Sequence, residues 1–376
     1  MAEPQLGAVP FAEAIAHLRQ KVRLPTARSD DLHGRVHAKA FTVAGAQKAG
    51  LLADLHEAIV AARAGGQSIG QFRQAFDEIV TRHGWSYHGK RGWRTRVIYD
   101  WNMGTSAMAG QWQQFQRTAG SRPYLQYQTV GDGRVRPQHR AWHGIVRPID
   151  DLWWDTHYPP NGPGCAGRCT ARSLSDEQMQ RAGLEVSPAP AVTLTERINT
   201  RTGEVYGKVP AGIDVGWDYN VGKAWLGPDF ALAYAIKRLP AATQAAALAE
   251  SATLSGLHQT APFNVWLPRA AAGEIQTAGW LPAEAAVATL EAAPASRPLI
   301  VVAGDTAASL GNALQDLPLR LADLDAVLQD GDTLIAVPRE GAVFEMRPGR
   351  DGVWYVTGTR PAVEAAASLK PLFKRR

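Results

Sequence analysis

Apolar residues recur at helical spacing through the first third of the chain, and at strand spacing only after it. Phe11, Ile15, Leu18 and Val22 stand three or four apart, which predicts a short amphipathic helix over 10 to 22, ended by Leu24-Pro25. From Ser29 to Ala62 the pattern stays helical, with Leu51, Leu52, Leu55 and Ile59 on one face and Gly65-Gly66 as the break. Ser68 with Gln71 three residues later is a capping-box signature. Ile69, Phe72, Phe76, Ile79 and Val80 share one side of the helix it opens. After the glycine-rich loop HGWSYHGKRG, the helix at Trp93 to Thr118 is the most regular element. Its Ile98, Trp101, Thr105, Met108, Trp112 and Phe115 alternate three and four apart, the rhythm of a seam packed on another helix. That partner is either a helix of the same chain or a second copy.

Beyond Gly120 the period changes. Tyr124 to Val130 alternates as a strand does, and Asp132-Gly133 is a hairpin signal before a return strand at Arg134 to Arg136. A small capped helix is expected at Ser173 to Gly183. Ser187 to Ala191 reads as a linker, and turns at Asn199 to Gly203, Pro210 to Gly212, Gly216, Gly222 and Gly227-Pro228 describe an arm that needs other surfaces to order it. Asp229 to Ala252 returns to helix. From Leu254 a separate unit is expected, with strands at Phe263 to Leu267, Pro298 to Val302, Asp332 to Pro338, Ala342 to Arg347 and Gly352 to Gly358, and a helix at Leu319 to Gln329. The predicted fold class is α+β in four parts: a helical module over 1–120, a hairpin and Cys/His loop over 121–183, a turn-rich arm and helix over 184–252, and an α+β domain over 253–376.

At 376 residues, 45% apolar and 20% charged, the chain can bury cores and is not a disordered one. Two cysteines exclude a disulfide-rich secreted scaffold. The opening MAEPQLGAVPFAEAIAHL has no basic head and no continuous apolar run, so no signal peptide is expected. No stretch is long and apolar enough to predict a membrane span or a membrane partner. Phosphate-binding loops ending in Lys-Ser or Lys-Thr and HExxH are missing from the sequence.

The net charge of +5 is unevenly spread. Between Thr81 and Asp150 eleven Lys and Arg residues face only Asp100, Asp132 and Asp150, and Trp85, Trp93, Trp101 and Trp112 lie among them. Arg91, Arg94, Arg96, Arg134, Arg136 and Arg140 are therefore candidates for contact with DNA or an acidic protein. The competing reading is a solvated face whose arginines pair with acids elsewhere in the fold.

Candidate chemistry concentrates between Asp132 and Arg172, which holds both cysteines and a Pro-Pro-Asn-Gly-Pro-Gly run. His139 and His143 are four apart, as are Cys165 and Cys169, spacings that let paired ligands close on one zinc ion. A disulfide and two reduced, buried thiols are the alternatives. A cysteine nucleophile would need an activating base, and no such arrangement is visible in the sequence.

The same stretch resembles the Mu F-like head-morphogenesis proteins, the minor head proteins of tailed phages. The likeness rests on Asp132, Arg134, Val135, Arg136, Pro137, His139, Gly144, then Pro159, Pro160, Asn161, Gly162, Cys165 and Cys169, and on a later segment, VPAGIDVGWDYNVGKA, from Val209 to Ala224. The family sets its cysteines closer together; here Ala166, Gly167 and Arg168 intervene. The resemblance implies a structural protein at or inside the procapsid near the portal, in the virion and, during assembly, the host cytoplasm. Its implied partners are portal, major capsid or scaffold proteins and double-stranded DNA. The tail faintly resembles barnase-, EndoU-, colicin- or RelE-like nuclease modules appended to such proteins. A cleaving tail would have to use Glu340 or Glu345 with Arg339, Arg347 or Tyr355, since its one histidine is His258; a non-enzymatic binding module is the expectation.

Overall fold

A computed structural model describes residues 11–28, 31–32, 34–165, 167–198, 203, 205–361 and 369–375. The first ten residues of the opening read for a signal peptide, Ser29, and the Asn199 to Arg201 and Thr202 part of one expected turn lie outside these. The chain forms two compact units, Met1–Leu226 and Gly227–Arg376. Helices and several small sheets make it α+β, as the pattern predicts.

The first unit opens with helix α1 (Ala12–Arg19), which stops before a two-residue strand β1 (Val22–Arg23) and does not run on to Val22. The helical reading from Ser29 also fails at first. Gly34 and Gly45 adopt positive φ of 65° and 84°, and between them strand β2 (Ala40–Phe41) pairs in parallel with β1. Helix α2 (Ala49–Ala64) then begins, followed by α3 (Ile69–His83), whose Ser68 and Gln71 make the reciprocal capping bonds the sequence indicates. Leu51, Leu52, Leu55, Ile59, Phe72, Phe76 and Ile79 pack into one core together with Ile98 of the long helix α4 (Arg91–Thr118).

The seam of α4 is used inside the chain. Its lower half packs among α2 and α3, and Met108 and Trp112 enter a second core with Tyr127, Trp154, Tyr158, Cys165 and Cys169. Full burial of a side chain the size of Trp112 contributes on the order of 3 kcal/mol.

Strand β3 (Tyr124–Thr129) is the centre of a three-stranded antiparallel sheet. Its expected partner at Arg134 to Arg136 is not a strand. The Asp132 carboxylate accepts from the Arg134 amide at 3.0 Å, closing a turn that feeds helix α5 (Pro137–Trp142), with Pro137 at its first position. The true neighbours of β3 are β4 (Val146–Pro148) and β5 (Cys169–Leu174). Between them lie the short helix α6 (Trp154–His157) and a turn at Pro163–Cys165. The capped helix α7 (Asp176–Ala182) starts later than read, because Ser173 and Leu174 belong to β5 and Ser175 is the cap. The turn-rich segment contains a hairpin, β6 (Leu194–Ile198) with β7 (Val205–Pro210), and then α8 (Val221–Leu226).

In the second unit the predicted helix from Asp229 is split at Pro240 into α9 (Phe230–Lys237) and α10 (Ala241–His258). Phe263 to Leu267 is not a strand: α11 (Thr260–Trp266) puts Phe263 and Trp266 three apart, with ring centroids 5.4 Å from each other. Next come β8 (Ile275–Trp280), α12 (Ala283–Ala292), β9 (Leu299–Ala303), α13 (Gly304–Leu310) and α14 (Leu317–Ala322). The helix read over Leu319 to Gln329 ends at Ala322, and the rest is strand β10 (Leu324–Asp330). With β11 (Thr333–Pro338), β12 (Val343–Pro348), β13 (Trp354–Arg360) and β14 (Lys370–Lys374) it completes a seven-stranded sheet, ordered β14-β10-β11-β12-β13-β9-β8.

Candidate metal centre

Two distant stretches of sequence meet above the three-stranded sheet. Strand β5 brings Cys169 beside Thr129 of β3, the turn at Pro163–Cys165 returns Cys165 to the same place, and α5 points His139 at both. One ligand-capable atom from each of His139, Cys165 and Cys169 lies within 4.8 Å of the others, and all three residues are buried. Cys169 Sγ stands 3.3 Å from His139 Nδ1.

The tautomer of His139 follows from its other nitrogen. Nε2 lies 2.8 Å from the carbonyl oxygen of Gly212, which can only accept, so Nε2 carries the proton and Nδ1 presents a lone pair to the sulfurs. The ring is held flat against Trp142, centroids 5.0 Å apart and 19° from parallel. Trp142 in turn meets His157 edge-on at 4.9 Å, and His157 stacks on Trp153.

Tyr127 reaches the same point from β3. Its hydroxyl donates to Asn161 Oδ1 at 2.9 Å. Asn161 is fixed by its amide nitrogen, which faces the carbonyls of Thr156 and Tyr158. Burial, then the neighbouring sulfurs, hold the Tyr127 phenol well above its ordinary range. The two thiols share a hydrogen bond, which lowers Cys169 and, together with burial, raises Cys165.

The Pro-Pro-Asn-Gly run and the Val209 to Ala224 segment are locked together here. Asn161 accepts the Asp214 amide through its carbonyl at 3.0 Å. Arg136 clamps the Asp214 carboxylate with both nitrogens at 2.8 and 2.7 Å, and this partner raises the Arg136 guanidinium further. A β-carbon at Gly162 would fall 2.1 Å from Asp214 Oδ2, and one at Gly212 would fall 2.7 Å from Gln138 Cβ. Both glycines are therefore demanded by close approach, and Gly212 also by its φ of +91°.

His143 does not join the group. Helix α5 ends at Trp142, so the four-residue spacing is not carried on one helical face; His143 is exposed, and its Nδ1 accepts from the Thr129 amide at 3.0 Å. Tyr127, which the sequence reading missed, packs in the same core as Cys165 and Cys169. Alternation along β3 marked it as inward-facing, but nothing in the sequence tied it to the cysteines.

The arginine candidates are mostly engaged. Arg91 pairs with Asp77, Arg134 with Asp132 at 3.2 Å, and Arg136 with Asp214. Arg140 faces the Asp132 carbonyl at 3.3 Å. Arg94 is buried, donates to the carbonyls of Ala44 and His88 at 3.0 Å each, and lies over the rings of Trp85 and Tyr87, which makes it a structural group. Arg96 is exposed. In the second unit, Glu345 is bound to Arg360 at 2.6 Å, Tyr355 to Asp351 at 2.8 Å, and Arg339 lies 3.7 Å from both Asp323 and Asp325.

The model of the family described as Phage Mu protein F like protein matches residues 53–172. The putative capsid assembly protein F of Escherichia phage Mu is 32% identical over 365 residues, covering 86% of this chain and 82% of that protein. The chain belongs to the Mu F-like family. A second Mu F-like relative, the Mu-like prophage FluMu F protein of Haemophilus influenzae, is 32% identical over 225 residues, 52% of each chain. No solved structure matches. The matched residues run from α2 to β5 and so include His139, Cys165 and Cys169, whereas Gly212 and Asp214, which complete the geometry, lie outside them. No helix among the described residues is long and apolar enough to cross a membrane.

Proposed function

We propose that this chain is a minor head protein of a tailed phage that works in head assembly, at or inside the procapsid near the portal, with a further part in DNA packaging or delivery. The observation that carries the reading is the 32% identity across 82% of the phage Mu capsid assembly protein. The chemistry of the site supports it. His139, Cys165 and Cys169 are shut away from solvent, so they suit a shape-holding loop and offer no entry for a substrate. Portal, scaffold or major capsid proteins are the preferred partners. Double-stranded DNA ranks below them, because most of the arginines that would meet phosphate are spent on carboxylates and carbonyls of the same chain. The cofactor in this reading is zinc, in a structural role.

The protein is then expected in the host cytoplasm during assembly and in the virion afterwards. Purified procapsids and mature particles, probed with an antibody to this chain, test it. Co-sedimentation with procapsids, and defective heads when the gene is deleted, support the reading. Normal heads from the deletion, with the protein never found in a particle fraction, overturn it.

A further inference from the structure

We propose that His139 Nδ1, Cys165 Sγ and Cys169 Sγ bind one zinc ion and supply three of its ligands at a buried structural site. The inference rests on the zinc of the proposed function and goes beyond it in fixing the ligands.

Three observations converge. The imidazole and the two sulfurs are mutually within 4.8 Å, the compass of a tetrahedral zinc site. His139 already has the orientation that metal-bound histidines adopt, with Nε2 hydrogen-bonded to a backbone carbonyl 2.8 Å away and Nδ1 bare. The imidazole and the two sulfurs reach one buried point from three elements, α5, the Pro163–Cys165 turn and β5, with Cys169 Sγ 3.3 Å from His139 Nδ1.

Charge balance suits the burial. Loading would take one proton from each thiol and none from His139, so a dication with two thiolates leaves the site neutral. Residues at 2% exposure or less could not hold a net charge cheaply. One ion would then tie α5, the Pro163–Cys165 turn and β5 to a single point, and through Nε2 of His139 it would steady the return at Gly212.

The test uses the full chain grown with zinc and freed of loose metal, then assayed for metal content. About one zinc per chain is expected, falling below about a tenth in Cys165→Ser, Cys169→Ser and His139→Ala and staying near one in His143→Ala. Because those variants could lose metal by misfolding, two measurements avoid removing a proposed sulfur or imidazole. The wild-type chain, stripped by a chelator and reloaded with Zn²⁺, should regain protection of both thiols from an alkylating reagent. Reloaded with Co²⁺, it should show sulfur-to-cobalt charge transfer. Little zinc together with thiols indifferent to it would sink both this inference and the zinc of the proposed function. Zinc that is lost with His143→Ala, or a cobalt spectrum without sulfur-to-cobalt charge transfer, would sink this ligand set alone.

Discussion

His139 Nε2 and the carbonyl oxygen of Gly212 lie 2.8 Å apart across seventy-three positions of sequence, and this bond joins the Cys/His stretch to the Val209–Ala224 segment. It can form only because Gly212 sits at φ +91° with no side chain to strike Gln138 and Trp142. Gly212→Ala should therefore destabilise the first unit by about 2–4 kcal/mol, from backbone strain plus overpacking. Gly133→Ala, where a β-carbon meets nothing within 4 Å, should stay within about 0.5 kcal/mol of the parent. Urea denaturation of the two variants decides it, and equal effects would remove the argument.

Gly162 and Asp214 make a more pointed case, because here the obstacle is one removable carboxylate. Gly162→Ala puts a methyl group 2.1 Å from Asp214 Oδ2 and should cost about 1–3 kcal/mol in the parent. In an Asp214→Ala background the same substitution should cost well under half as much, giving a coupling of about 1 kcal/mol or more. Additive losses in a double-mutant cycle would show that the two residues do not meet.

Much of this site could be read from the chain, and what could not has physical causes. Cysteines, a histidine and a Pro-Pro-Asn-Gly run are chemically conspicuous, so His139, Cys165 and Cys169 stood out. Strict three-four alternation in α4 and the Ser68/Gln71 cap are local codes, and both hold. His143 misled because ligand spacing assumes a continuing helix, whereas α5 has six residues. Asp132-Gly133 misled because the Asp132 carboxylate is bonded to the Arg134 amide and pairs with Arg168, chemistry of a turn into a helix. Tyr127 and Gly212 escaped notice because their roles exist only once distant strands and loops are brought together. That the arginines pair within the fold was one of the two readings, but the partners could not be named, because ion pairing depends on acids far along the chain such as Asp77 and Asp214.

Gly222 offers a test in which two rules disagree in sign. It lies in helix α8, where alanine is ordinarily better than glycine by about 1 kcal/mol. A β-carbon there would sit 2.2 Å from Trp112 Cβ, deep in the shared core. Packing should win, so Gly222→Ala is expected to lower stability by about 1–3 kcal/mol. A rise in melting temperature would mean that α4 and α8 are not so closely apposed.

Acid should weaken the helical core before it touches surface pairs. Burial holds His56 down at about 4 from an ordinary 6.5, with its Nε2 2.7 Å from the Leu18 carbonyl; burial also holds His17 well below its usual value. Both are neutral when folded, while the unfolded chain takes up protons near pH 6.5. The stability they permit is thus fully present above about pH 6.5 and lost as pH falls toward 4, on the order of 3 kcal/mol for His56. Urea midpoints across that window should drop, and should drop less in His56→Gln, which keeps a donor but does not titrate. A pH-independent midpoint would contradict the burial of these rings.

The arginines give the sharpest separation between a DNA surface and a protein-docking one. Each phosphate contact that displaces a counterion steepens the salt dependence by about one unit of log K per unit of log salt. Arg91 and Arg136 pair with Asp77 and Asp214, Arg134 shares Asp132 with Arg168, and Arg94 is buried beneath Trp85 and Tyr87. Exposed Arg96 and exposed Arg140, which faces only a neutral carbonyl, are the members of the set best placed to meet a phosphate. Double-stranded DNA binding by the full chain should therefore show a shallow slope, no steeper than about −2. Arg94→Ala should lower stability by roughly 2–3 kcal/mol, through two lost charge-assisted bonds, and leave that slope where it was. Arg96→Ala should flatten the slope and leave stability unchanged. A slope near −6 that Arg94→Ala reduced in a folded protein would restore these arginines as a DNA surface, because paired or buried guanidinium groups could not produce it.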